Sequence, residues 1–266
     1  MKRLAPDVMM CATPKQIAGA ATDMVREAAI LSITNHENIV KLHGISAGTL
    51  LQNGEVTFDD EEKEFFFLMD KLESTLDDRI RRWRREERGS AWRLRRKCHH
   101  RPDLLFERLE VALEMARGLK YLHERKIVHG DIKPGNVGFD DNGVLKIFDF
   151  GLARKLKHRD DTTAGAVGTP AYMAPEIHDQ KPYGQKADIF SFALTLWQLC
   201  TLESRPPQCY KQRPELPKWW PVELSTLMAV CWSAEPNGRP SCDDIIKSIE
   251  NILKGKNEKS TPCTAN

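Results

Sequence analysis

Residues 127–151 read IVHGDIKPGNVGFDDNGVLKIFDFG, and this stretch decides the fold. Two short apolar runs, Val137 to Phe139 and Leu145 to Phe148, flank Asp140 to Gly143, whose Asp, Asn and Gly residues suit a tight turn. A hairpin there gathers Asp131, Lys133, Asn136 and Asp149 around one bend. Two carboxylates, a carboxamide and a lysine in that pattern suit phosphoryl transfer, which needs positioning and charge neutralisation more than covalent help. Asn136 and Asp149 offer the oxygen donors that Mg²⁺ prefers. Lys133 can neutralise a transferred phosphoryl group, and Asp131 can orient a hydroxyl and accept its proton.

Outward from this stretch, the pattern is mixed before it and helical around it. Upstream, Ala20 to Ile33 places Met24, Ala28, Leu31 and Ile33 near one face at helical spacing, with Thr22 or Asp23 able to cap it. Ile39 to Leu42 and Phe65 to Met69 read as short buried strands. The polar, glycine-bearing run from Gly44 to Glu64 reads as a hairpin-like excursion. Helices are predicted over Leu104 to Glu124, Ile189 to Cys200, Leu224 to Trp232 and Ile245 to Leu253; the second is apolar nearly all round and should be buried. From Lys254 onward the periodicity is lost and the end should fray. These elements predict an α+β chain with a small part over residues 1–72, a larger helical part over 73–254 and a flexible tail over 255–266.

The 266 residues carry 40 Lys and Arg against 38 Asp and Glu, a net of +2, with 41% hydrophobic and 29% charged residues. That composition excludes a disordered chain, and no whole-chain field points to nucleic acid. No apolar run approaches the length of a membrane span and no secretory leader stands at the start, so a cytoplasmic or nuclear globular protein is expected. Seven cysteines, with no C-x-x-C pair, argue against a disulfide framework or a zinc ribbon, and Cys231 and Cys242 read as core thiols. Charge is unevenly placed. Residues 79–101 hold eleven Lys and Arg against Glu86 and Glu87, a net of +9, which leaves −7 for the rest. The block reads first as a solvated insertion between two helices, with Trp83 and Trp92 packing locally; docking of an acidic partner is the functional alternative.

The ordered motifs resemble the protein kinase family over nearly the whole chain. His129-Gly130-Asp131 with Asn136 stands where that family has its catalytic loop, Asp149-Phe150-Gly151 matches its metal-binding triplet, and Ala174-Pro175-Glu176 matches the close of its activation segment. The resemblance implies a two-lobed fold with a curtailed β-rich small lobe and a complete, mainly helical large lobe. It implies ATP and Mg²⁺ as cofactors, Asp131 as catalytic base, Lys133 as phosphate neutraliser, and Asn136 and Asp149 as metal ligands. Asp131-Ile132-Lys133-Pro134 and Gly168-Thr169-Pro170-Ala171-Tyr172 look like the Ser/Thr type, and Trp197, Trp232 and Arg239-Pro240 like its tyrosine-kinase-like group. Protein substrates with serine or threonine acceptors are therefore expected. By the same resemblance, Met69 stands at the gatekeeper, Asp70 to Leu72 form the hinge behind adenine, Glu27 is the helix glutamate, and His129 is a packed residue. Asp188 is implied to hold catalytic-loop amides, and Arg239 to pair with Glu176.

Two departures stand out. No glycine-rich loop precedes Glu27, which makes Lys2, in Met1-Lys2-Arg3-Leu4, the partner candidate for Glu27, with Lys15 its rival. The expectation is that the true start lies upstream, with truncation to a catalytically weak pseudokinase, acting as a binding or scaffold module, as the competitor. The second departure is Gly130, where the family carries an arginine that pairs with a phosphorylated activation loop. Without that partner, phosphorylation of Thr162 and Thr163 is not expected to be the main on-switch.

Overall fold

The computed structural model describes residues 2–3, 14–46, 49–52, 55–58, 66–94, 102–158, 161–165, 168–206 and 212–259. Its small part is an antiparallel sheet of order β1-β5-β2, made of β1 (Lys2–Arg3), β2 (Leu42–Ile45) and β5 (Phe66–Met69). Phe67 is fully buried and pairs with both Lys2 and Ile45. Between β2 and β5 rises a hairpin of β3 (Thr49–Gln52) and β4 (Glu55–Phe58), within the polar run that predicted one.

Helix α1 (Pro14–Ser32) packs behind this sheet. It begins well before the expected Ala20, because proline fits the first turn, whose amides lack partners anyway. Thr22 and Asp23 are therefore helix-interior residues, and Lys15 lies in the helix rather than in a strand. Met24, Ala28 and Leu31 are buried as their spacing predicts, but Ile33 lies past the helix end and is 48% exposed. The strand expected over Ile39 to Leu42 is also displaced. Asn38 and Val40 instead join the large part: the Ile147 amide donates to the Asn38 carbonyl at 2.9 Å, and the Val40 amide to the Ile147 carbonyl at 3.0 Å. Backbone hydrogen bonding to a distant strand outweighs local β-propensity here.

The large part is organised on α5 (Gln185–Thr201), buried on every face from Ala187 to Cys200. Each large apolar side chain enclosed this way contributes roughly 1.5–3 kcal/mol. Around it lie α3 (Pro102–Glu124), α6 (Val222–Cys231) and α7 (Cys242–Lys259). Helix α7 continues past Lys254, so the frayed end expected from 255 is helical through Lys259; residues 260–266 lie outside the described residues. Two small sheets line the face toward α1. One joins β6 (Ser74–Thr75), β8 (Val137–Phe139) and β9 (Leu145–Ile147), and the other β7 (Ile127–Val128) and β10 (Arg154–Lys155).

Much of the basic block is helix α2 (Leu76–Leu94), not an insertion between helices. Ile80 is fully buried and Trp83 packs against the core, so the run carries an apolar stripe beneath its charge. Two of its arginines are engaged within the fold, Arg79 lying 3.2 Å over the Phe139 ring and Arg84 donating to the Leu202 carbonyl, while Arg81 pairs with Asp77 at the surface. The side chain of Trp92 lies outside the described residues. Among the described residues, no helix is long and apolar enough to cross a membrane.

A short helix, α4 (Pro175–His178), carries Glu176, whose carboxylate takes both terminal nitrogens of Arg239 at 2.7 Å each. Both side chains are enclosed, 7% and 0% exposed. Loss of one member of such a pair leaves a buried charge without a counterion. Arg239→Met is expected to lower unfolding stability by about 3–5 kcal/mol in chemical denaturation; a loss below about 1 kcal/mol would contradict the enclosed pairing.

Candidate active site

The segment from Val128 to Asp149 places the site through backbone constraints. Asp188, on the first turn of α5 and 1% exposed, accepts the amides of His129 and Gly130 at 2.9 Å each. His129 is fully buried, reaches the Phe148 carbonyl at 3.1 Å and stands edge-on to Phe150 at 4.9 Å. These contacts fix the backbone immediately before Asp131. The short 3₁₀ turn Pro134–Asn136 then returns the chain into β8, and the Phe148 amide donates to the Asn136 carbonyl at 3.0 Å.

Asp131, Lys133 and Asn136 are brought together on this loop. One carboxylate oxygen of Asp131 accepts Lys133 Nζ at 2.6 Å and Asn136 Nδ2 at 2.9 Å, and the other accepts the Thr169 amide at 2.8 Å. Lys133 also donates to Thr169 Oγ1 at 2.6 Å, which ties the loop to the segment before α4. That approach is close. Gly168 has φ +110, and a Cβ there would meet the Gly130 carbonyl oxygen at 2.8 Å, so only glycine fits. Burial alone would raise the Asp131 pKa, but the Lys133 and Thr169 hydrogen bonds and the Lys133 charge outweigh it, holding the carboxyl below the ordinary value of 3.8. A carboxylate has about four lone-pair positions, and three donors leave one acceptor position.

A second cluster forms at Asp149. Lys2 Nζ lies 2.6 Å from Glu27 Oε2 and 2.9 Å from Asp149 Oδ1, so the edge strand β1, helix α1 and the segment after β9 share one cation. Glu27 is buried, and its other oxygen accepts the Phe150 amide at 3.3 Å. Burial would lower the Lys2 pKa, but Glu27 and Asp149 outweigh it and hold the ammonium above its ordinary value. Burial pushes the Glu27 carboxyl up against that pull. Asp149 itself adopts φ 67 and ψ 71, a left-handed conformation that costs a non-glycine residue roughly 1–2 kcal/mol.

Asn136 and Asp149 suit a hard divalent cation. The Asn136 amide nitrogen is engaged by Asp131, which leaves its side-chain oxygen as a donor, and Asp149 retains a carboxylate oxygen beyond the one facing Lys2. Among the described residues, no group of three or more His, Cys, Asp or Glu residues could hold a metal ion.

Met69 ends β5, partly buried against the core. The Asp70 carboxylate is turned to β2, accepting the Lys41 amide at 3.0 Å and lying 2.8 Å from His43 Nε2. Leu72 packs over β8, with Cδ1 2.8 Å from where a Gly138 Cβ would stand. Asp70 and Leu72 thus follow β5, the central strand of the small sheet, with Asp70 turned to β2 and Leu72 to β8. Sequence reasoning missed Glu114, whose carboxylate accepts the Leu145 amide at 3.0 Å and so steadies β9, and it missed the pairing of His123 with Cys242. Neither pairing has a local signal, since the partners lie 31 and 119 residues apart.

A carboxylate beside a lysine, with two further oxygen-bearing side chains on the adjoining strand ends, is an arrangement suited to phosphoryl transfer. The family model for the protein kinase domain matches residues 9–249, and the chain belongs to that family. Similar proteins include a dual specificity protein kinase, shkB, of Dictyostelium discoideum (38% identical over 62% of this chain and 28% of that protein). Another is the RGS domain-containing serine/threonine-protein kinase A of the same organism (32% over 86% and 18%). A third is the serine/threonine-protein kinase CTR1 of Arabidopsis thaliana (34% over 63% and 22%). The chain spans less than a third of the length of each.

The Asp131 cage yields a titration. Stability from its depressed pKa is fully present above the ordinary value and is lost as pH falls through the lower, folded one. Lys133→Met removes one hydrogen bond and the nearby charge, and carboxyl-carbon NMR should show Asp131 titrating above its wild-type position. A variant that titrates at or below the wild-type position would contradict the cage.

Proposed function

We propose that the chain is a serine/threonine protein kinase, transferring a phosphoryl group to hydroxyls of protein substrates. The observation that carries this reading is the Asp131 carboxylate, kept ionised by Lys133 and Thr169 with one acceptor position remaining. That position suits the hydroxyl proton of an acceptor, and an ionised carboxylate both aligns the oxygen and receives the proton as attack proceeds. Lys133, 2.6 Å from Asp131, places its positive charge where the transferred group would carry negative charge.

Mg²⁺-bound ATP would supply the transferable phosphoryl group. Asn136 and Asp149 would hold the cation, while Lys2, fixed by Glu27, would contribute a second positive charge on the nucleotide side. Asp70 and Leu72 would meet the nucleotide base through backbone groups, since the Asp70 side chain is committed to β2. The serine/threonine class is supported by the Lys133–Thr169 bond beside Asp131 and by the activities named for similar proteins. The arginines of α2 favour a structural use of the basic block over an acidic partner, because two already serve internal contacts.

Asp149→Ala removes one cation ligand and one of the two carboxylates at Lys2, so phosphorylation of a serine/threonine peptide should fall at least a hundredfold, an order set by loss of an electrostatic clamp. Equal turnover in the two proteins would sink the metal-dependent reading. The activation segment gives a second test. Gly130 supplies no guanidinium, and Thr163 is already paired to Tyr183 by backbone hydrogen bonds of 2.8 and 2.9 Å. Aspartates at both Thr162 and Thr163 should therefore raise activity by less than about tenfold, or ~1.4 kcal/mol; a larger rise would mean that another cation reads the loop.

A further inference from the structure

Asp188 has a second face, which the phosphoryl-transfer site does not use. Besides the amides of His129 and Gly130, it lies 3.0 Å from His123 Nε2, and His123 Nδ1 lies 3.3 Å from Cys242 Sγ. The three side chains are all buried and form a thiol–imidazole–carboxylate series. With a carboxylate at Nε2, the imidazole carries its proton there and presents Nδ1 to the thiol as a base. Burial works against a charged His123, but Cys242 and Asp188 outweigh it and push its pKa up to about 10.

A thiol of this kind matters only if a reagent can reach it. His123 and Cys242 both line a cavity of about 630 Å³, whose wall also includes Lys120, Thr162, Tyr183 and Ser241. The other described cysteines differ. Cys200 and Cys231 are buried, and burial pushes both thiols up, Cys200 to about 12. Neither lines this cavity.

We propose that Cys242, activated by His123 and Asp188, is a nucleophilic modification site for soft carbon electrophiles of the α,β-unsaturated carbonyl class, and that its modification loosens the catalytic loop. The thiol proton passes to His123 Nδ1 as the sulfur lone pair forms a bond to the β-carbon, the π pair moves to the carbonyl as an enolate, and that proton then passes from Nδ1 to the α-carbon. The sum is an addition, with no leaving group and no oxidant. The thioether carries a bulky substituent and no S–H, so His123 loses its sulfur hydrogen-bond partner. The imidazole beside Asp188 is then no longer held at Nδ1, and it is Asp188 that holds the amides of residues 129 and 130, directly before Asp131.

The test uses the full chain and N-ethylmaleimide, with labelling followed at each cysteine by peptide mass spectrometry. Cys242 should be modified at least tenfold faster than Cys200 and Cys231, and His123→Gln should slow it at least tenfold while those two stay protected. Equal rates at the three cysteines, or a Cys242 rate unchanged by His123→Gln in a folded variant, would overturn the proposal. Should that variant expose Cys200 and Cys231, the wild-type rate comparison decides alone. Hydrogen exchange gives the second arm: in labelled protein the amides of His129 and Gly130 should exchange at least tenfold faster, and unchanged protection would refute the link to the loop. Neither readout involves nucleotide turnover, so both stand apart from the proposed kinase activity.

Discussion

The carboxylate of Asp188 is the constraint on which the site geometry depends. It sits on the first turn of a helix enclosed on every face, so it moves only if the core moves, and from there it accepts two consecutive loop amides. A loop would ordinarily satisfy its amides with water and sample many conformations. Here a buried anion collects them, which sets the direction in which Asp131 leaves the backbone. The remaining contacts of Asp131, from Lys133, Asn136 and the Thr169 amide, presuppose that direction. Enclosure of the anion is tolerable because three donors, the two amides and His123, surround it.

The small sheet is joined to this frame by fewer and more polar contacts. Lys2, Glu27 and Asp149 form one clasp, and the backbone bonds of Asn38 and Val40 to Ile147 form another. The clasp places a cation between two carboxylates, one buried and one held in a left-handed conformation beside the Phe150 amide. Apolar packing of α1 against the segment after β9 supports it, with Leu31 and Phe150 both enclosed. The site thus has a half set by α5 and a half joined to it by the Lys2 clasp, the Asn38 and Val40 backbone bonds and the packing of α1.

Much of this was legible in the sequence where chemistry and local pattern coincide. The hairpin around Asp140 to Gly143 announces itself by turn residues between apolar runs, and it carries the four site residues with it. The apolar run from Ile189 to Cys200 likewise could only be a buried helix. The misreadings have a common cause. Ile39 and Val40 look like a strand by composition, yet bond to Ile147, more than a hundred residues away. The block from Arg79 reads as solvent-facing charge, although Ile80 and Trp83 give it an apolar stripe and the Arg79 guanidinium lies over Phe139. Cys242 is the core thiol it reads as, but nothing near it in the chain reveals its pairing with His123. Long-range pairing decided each of these, and a single sequence does not record it. The association of Lys2 with Glu27 lies between the two cases, since a strand-like terminus and a helix glutamate suggest it but only the sheet register brings them together.

The central claim is that Asp131 acts as an ionised acceptor with one open position. Asp131→Asn retains the size of the side chain and removes its charge and basicity. Single-turnover phosphoryl transfer to a serine peptide should then fall by about 10²–10⁴-fold, with nucleotide affinity little changed. Transfer within a factor of three of the wild-type rate would contradict the account.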